Sequence, residues 1–172
     1  MMWWEILLVV LAGLILLFSA YFLIVKLRYN TVTKNVANVF RKMFKNANID
    51  MLHSGDIYQM EVQTEKRYLI KLIDINPRYE LIITNADRVV INENAKEWRG
   101  SSKPHFVSGI RRFMKYEQTD KNIIKIVLIY PNCHNITKYT NESDAFKVKK
   151  NQKIDGLYFI KFGNLEEFLR KH

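Results

Sequence analysis

The run ILLVVLAGLILLFSAYFLIV, Ile6 to Val25, holds twenty residues without a charge. At ~1.5 Å per residue such a helix spans the ~30 Å hydrocarbon layer of a bilayer, so whatever else the chain builds has to fold beside a membrane. Trp3, Trp4 and Tyr21 stand near the two ends of the run, where amphipathic rings favour the headgroup layer. A cleaved signal peptide has a basic start and a shorter apolar stretch, whereas here only Glu5 precedes the run. The sequence therefore predicts a transmembrane helix, with residues 1–25 as an extracytoplasmic start and a single span.

Orientation follows from the flanking charge. Lys26, Arg28, Lys34, Arg41, Lys42 and Lys45 follow the run and no Lys or Arg precedes it. Basic flanks stay cytoplasmic, so the expectation is a cell-membrane protein with its N-terminus outside and residues 26–172 inside. The sequons NIT at Asn135 and NES at Asn141 are discounted on that reading, because three-residue patterns recur by chance. Of the 17 acidic residues all but Glu5 follow the span, leaving 16 against 27 basic ones, a formal +11. That balance attracts nucleic acid or the anionic inner leaflet, and the lysines next to the membrane favour the leaflet. One cysteine, Cys133, excludes an internal disulfide framework and suits a reducing compartment.

Beyond the span, Val32, Val36, Val39, Phe40, Met43 and Phe44 recur at helical spacing among basic residues. Residues 26–55 thus read as a basic juxtamembrane amphipathic helix and connector. Its apolar face either lies on the membrane or, the favoured alternative, covers a sheet of the following domain. From Ile57 the period changes: IYQMEVQ alternates, RYLIKLIDI is nearly continuous, and ELIITNADRVVIN is two short runs about a turn at 85–87. These predict a meander of three or four strands, with Asn76-Pro77 as a turn. KPHFVSGIRRFMKYE predicts a helix starting near Pro104, and IIKIVLIYP, Ile123 to Pro131, the central strand. A polar loop then leads to a last strand, LYFIKF, and a terminal helix, NLEEFLRKH, in which Asn164 and Glu167 have capping-box spacing. Residues 56–172 are expected to form one cytoplasmic α/β (α+β) domain, a small mixed sheet with helices packed on it.

The order helix, strands, helix, strand, strand, helix resembles the αβββαβ core of the PD-(D/E)XK nuclease superfamily, and within it the NERD (nuclease-related domain) proteins. The points of likeness are ELIITN, RVVIN leading to EWRG, KPHFVSGIRRFM, KIVLIYP and FGNLEEFL. The resemblance implies a metal site in which two carboxylates hold Mg²⁺ and a lysine helps to activate water. Glu80 stands where the first acid belongs, but the Glu-x-Lys positions fall on Asn92-Glu93-Asn94, both neutral amides. A shifted alignment uses Glu93 with Lys96, three residues on, which a regular strand would turn to opposite faces. The resemblance thus implies a nuclease-like fold that has lost its chemistry. The alternative is a divergent Mg²⁺-dependent nuclease with Glu80, Glu93 and Lys96 as its catalytic set; otherwise no cofactor is expected.

Asn132, Cys133 and His134 follow the predicted central strand, where α/β folds commonly place ligands, and form a candidate ligand loop. Adjacent Cys and His seldom meet each other in catalytic geometry, and no second Cys completes a zinc set, so a small buried cysteine is the plainer reading. Arg111, Arg112 and Lys115 beside aromatics, like Lys34, Arg41, Lys42 and Lys45, are candidate contacts to nucleic acid or lipid; solvated helix faces explain them as well. No P-loop, zincin or serine-hydrolase motif occurs. The expected function is a non-catalytic binding module on a membrane tether, its partner a nucleic acid, an anionic lipid or a protein. The third reading is a structural membrane component that only docks to other proteins.

Overall fold

The computed structural model describes residues 3–53, 55–84, 88–93, 105–116, 122–140 and 144–172. The chain divides into two compact units, Met1–Val36 and Ala37–His172. A single helix, α1 (Trp3–Met43), makes up the first and opens the second.

In the first unit the large apolar side chains from Leu7 to Val25 stand exposed, Leu16 and Leu17 by 71% and 70%. Among the described residues this is the one helix long and apolar enough to cross a membrane. The sequence separated a span ending at Val25 from an amphipathic helix after it, but the helix runs through without a break. Residues 26–30 contain neither Gly nor Pro. Thr31 and Thr33 donate their hydroxyls to the carbonyls of Leu27 and Tyr29 one turn back, which leaves the helical path intact.

In the second unit the end of α1 is followed by β1 (Asn48–Met51), β2 (Met60–Gln63), β3 (Arg67–Ile75), β4 (Glu80–Ile83), β5 (Val89–Asn92), β6 (His105–Phe106), α2 (Ile110–Lys115), β7 (Ile123–Pro131), β8 (Ile136–Tyr139), β9 (Ala145–Lys147), β10 (Lys153–Ile154) and β11 (Leu157–Lys161). A 3-10 turn at Phe162–Asn164 leads into α3 (Leu165–Lys171). The mixed α/β class is as the sequence predicts, but the strands form two sheets, ordered β1-β2-β3-β7-β11-β10 and β6-β5-β4-β8-β9. The expected meander is thereby split: β1, β2 and β3 pair antiparallel in the first sheet, while β4 and β5 form their hairpin in the second.

β7 lies between β3 and β11, parallel to both, so the most apolar strand is an interior one. Period 2 gives each strand of the first sheet two faces. Tyr68, Ile70, Ile126 and Leu128 lie on one, covered by helices: Phe40 of α1 meets the Tyr68 ring at 5.5 Å, and Phe168 of α3 meets Tyr158 at 5.0 Å. The favoured reading of the amphipathic segment therefore holds for its last turns, where Ala37 and Phe40 are fully buried. On the other face Leu69, Ile73, Val127 and Phe159 join Leu81, Ile83, Val89 and Ile136 of the second sheet, with Ile110 and Phe113 of α2, in one core.

Three local expectations are corrected. The helix near Pro104 begins only at Ile110, after Gly109 with φ +74°, and Phe106 sits instead on a short edge strand, 63% exposed. The polar loop after β7 contains β8, β9 and β10, short strands whose lysine-rich sequence hid their alternation. No capping box forms on α3: Asn164 makes no side-chain cap, and Glu167 turns outward to Lys171 at 2.9 Å and Lys150 at 3.4 Å.

Candidate functional site

The parallel strands β3, β7 and β11 end together at Ile75, Pro131 and Lys161. At that edge the chain crosses twice from the first sheet to the second, β3 into β4 and β7 into β8, and β4 and β8 run parallel. The two crossings are stitched together by backbone bonds: His134 N–H donates to Tyr79 O at 2.8 Å, and Leu81 N–H to Asn135 O at 2.9 Å. Asn132, Cys133 and His134 form the second crossing. Asn132 Oδ1 accepts from the Cys133 amide at 2.9 Å, and the Cys133 thiol donates to Asn135 O at 3.4 Å.

Cys133 is buried, and burial pushes its thiol up to about 11. A thiol held protonated in an apolar setting is a poor nucleophile and a poor metal ligand. The part of this edge that sequence reasoning missed is Lys161. Its ammonium donates to the carbonyls of Cys133 at 2.8 Å and His134 at 3.1 Å, fixing a positive charge at the mouth of the crossing. Beside it lies a cavity of about 130 Å³, lined among others by Lys147, Lys149, Lys150 and Lys161 and by Asn151 and Asn164. The signal was present as FKVKKNQK, a lysine run inside what read as a loop.

Glu80 and Glu93 are not brought together. Glu80 pairs with Asn92 across the β4–β5 hairpin and Ile91 with His105 across β5–β6, so Glu80 and Asn92 share one face and Ile91 and His105 the other. Glu80 accepts from the Thr137 hydroxyl, while Glu93 Oε1 lies 3.2 Å from His105 Nε2 on the opposite face. Two carboxylates so separated do not fit a shared Mg²⁺ site. Lys96, with Trp98 and Gly100, lies outside the described residues. Among the described residues no group of three or more His, Cys, Asp or Glu is placed to hold a metal ion.

The basic helix residues also fall into separate places. Arg41, Lys42 and Lys45 are exposed near the end of α1, with Lys42 bound to Glu166 of α3 at 3.0 Å. Arg111, Arg112 and Lys115 are exposed on α2 while Phe113 between them enters the core. Since α1 and α2 cover opposite faces of the first sheet, these two groups do not form one surface. Lys34 is exposed in the first unit.

A second polar cluster was not foreseen. Glu61 on β2 is buried and accepts from Arg67 Nε at 2.6 Å, Gln63 Nε2 at 2.9 Å and Tyr58 Oη at 2.9 Å. The Arg67 hydrogen bond leads in holding its carboxyl at about 2, far below the ordinary 4.5. Burial first, and then the bond to Glu61, push the Tyr58 hydroxyl up. Glu61 is thus answered by three donors, two from the β2–β3 hairpin and one from Tyr58 just before it, which marks the cluster as a structural clasp. Comparison with family models, with curated proteins and with solved structures returns no match.

Proposed function

We propose that this chain is a single-pass membrane protein whose basic α/β domain faces the cytoplasm and binds an anionic partner without catalysing its cleavage. The observation that carries the reading is the exposed, uncharged run Ile6–Val25 of α1 followed by residues 26–172 of formal charge +11. Lys26 and Arg28 directly after the apolar run favour retention of the domain on the cytoplasmic side. The separation of Glu80 from Glu93 on the two faces of the second sheet speaks for binding over phosphodiester hydrolysis. Descent from the NERD or PD-(D/E)XK nucleases is part of this proposal and rests on element order and on the stretches ELIITN, RVVIN, KIVLIYP and FGNLEEFL; Asn92 and Asn94, neutral where Glu and Lys would stand, depart from the motif and favour the non-catalytic reading.

The test is made on the full chain in sealed membrane vesicles of known orientation. Resistance to alkaline extraction, together with protease access to the domain only from the cytoplasmic face, is the expected result. The same protein in neutral-lipid nanodiscs, incubated with labelled DNA and RNA in Mg²⁺ or Mn²⁺, should leave the strands intact. Metal-dependent cutting that disappears in Glu80→Ala or Glu93→Ala would overturn the non-catalytic reading.

A further inference from the structure

The cavity beside Lys161 is a concave basic site, and we infer that it receives a phosphate group, the phosphomonoester of an inositol lipid headgroup or of a small soluble metabolite. This deepens the proposed function, on which it rests, by naming the chemistry bound and the place.

Four lysines, Lys147, Lys149, Lys150 and Lys161, line one hollow from two separate segments of chain. Positive charges gathered at a concave site raise the local concentration of anions. Lys150 is partly answered by Glu167 at 3.4 Å, and among the described residues no acidic side chain lines the hollow itself. Among the described residues Lys147 and Lys149 have no acidic partner. Lys161 is held by two carbonyls, which use two of its three protons and leave its charge fixed in position.

The amides point the same way. Asn164 occupies the position that would cap α3, yet its side chain makes no cap hydrogen bond, and the residue lines the cavity. Asn151, in the left-handed backbone region at φ 62°, which asparagine tolerates better than most residues, lines it too. An asparagine amide carries two N–H donors. Lysine and amide donors from several residues suit a tetrahedral oxyanion. A planar carboxylate is better read by the fork of an arginine, and among the described residues no arginine lines this site. The volume narrows the class further. About 130 Å³ is well below the ~300–1,000 Å³ of sites that enclose a whole nucleotide or drug-sized ligand, so the pocket takes one phosphate and leaves the rest of the molecule outside.

The test uses the full chain in nanodiscs of neutral phosphatidylcholine, with two probes, inorganic phosphate and glycerophosphoinositol 4-phosphate, followed by calorimetry and by phosphorus NMR. Both exposed lysines are changed together in Lys147→Gln/Lys149→Gln, and Arg111→Gln/Arg112→Gln on α2 serves as the equal-charge control; unchanged thermal melts certify the fold of each. Saturable binding of at least one probe, weakened tenfold or more by the first pair and within twofold of wild type in the second, is the expected result. A headgroup bound tenfold tighter than free phosphate identifies the lipid as the source, and equal or tighter binding of free phosphate identifies a soluble one. Absence of saturable binding of either probe, or equal weakening by the two variants, overturns the inference. Membrane retention and intact nucleic acid in the preceding experiment would still stand in that event, so the two failures are distinguishable.

Discussion

Arg67 Nε lies 2.6 Å from Glu61 Oε1 across the β2–β3 hairpin, and this bond fixes how the domain answers to acid. The folded carboxyl sits at about 2 against 4.5 for a free one. A depressed value means that the stabilisation is complete above about 4.5, shrinks as pH falls below it, and is gone once the folded carboxyl itself is protonated near 2. With Arg67 one-third exposed, the contribution is discounted to about 2 kcal/mol at neutral pH. Denaturant melts of wild type between pH 6 and pH 2.5 should show this loss as a decline in stability below about pH 4.5. Glu61→Gln should start lower and decline less over the same range.

Lys71 is the counter-case, a buried cation that, among the described residues, forms no ion pair. It lies in the core face of β3 at 6% exposure, its Nζ donating to Ile57 O at 3.1 Å, and burial lowers its pKa from 10.5. Between the lowered folded value and 10.5 the unfolded chain holds the extra proton, so wild-type stability should rise as pH climbs through that window. Lys71→Met keeps the unbranched stem to Cε and removes the ammonium group. It should lack the alkaline rise and be no less stable than wild type at pH 7, which melts at a series of alkaline pH values would read directly.

Gly109 shares this place. A Cβ there would meet Lys71 Nζ at 3.1 Å, and its backbone has φ +74°, where L side chains are strained. Gly109→Ala should therefore cost about 1–2 kcal/mol, seen as a lower midpoint with unchanged slope in a denaturant melt. Pairing it with Lys71→Met separates the two causes: the clash is relieved and the backbone strain remains.

How far the chain could be read in advance follows from which forces are local. The span, the β4–β5 hairpin, β7 and α3 are visible because their periodicity, turn residues and apolar runs lie within a few neighbouring residues. Assignment of strands to two sheets was not visible, since β3 and β4 are consecutive in sequence and the decision to part them rests on the pairing of β3 with β7 and β4 with β8. Cys133 was rightly expected to be buried in a loop. Its partner Lys161 lies 28 residues away and carries no motif, so only the parallel packing of β11 on β7 reveals it. The phosphate pocket was hidden for the same reason: Lys147–Lys150 looked like a solvated loop until β8 and β9 folded it against β11.

The crossing loop gives a test of that packing. Lys161→Met leaves the part-buried carbonyl of Cys133 without its donor, a loss of about 1–2 kcal/mol, while the exposed carbonyl of His134 can turn to water. Hydrogen exchange should quicken first at the amides of His134 and Leu81, which stitch the two crossings. Cys133 reports the same opening chemically. In wild type its raised pKa and burial should keep it almost unreactive to a thiol reagent at pH 8, and Lys161→Met should speed the reaction while the protein remains folded.

The apolar helix makes the last prediction, and its sign depends only on transfer energy. Leu16 lies in the middle of the run Ile6–Val25 and is 71% exposed, so it has no protein neighbour to answer a charge placed there. Arginine at the centre of a span costs about 2.5–3.5 kcal/mol, and the lost leucine adds about 0.5 kcal/mol. Leu16→Arg should thus lower the equilibrium constant for insertion by roughly several hundredfold, read as the ratio of inserted to uninserted chain. Lys26→Glu/Arg28→Glu tests direction separately from insertion. The run stays as apolar as before while the nearest basic flank is lost, so the expected result is full insertion with a mixed orientation, read by protease access in sealed vesicles. Unchanged orientation would place the determinant further along, at Lys34 to Lys45, where the same assay can follow it.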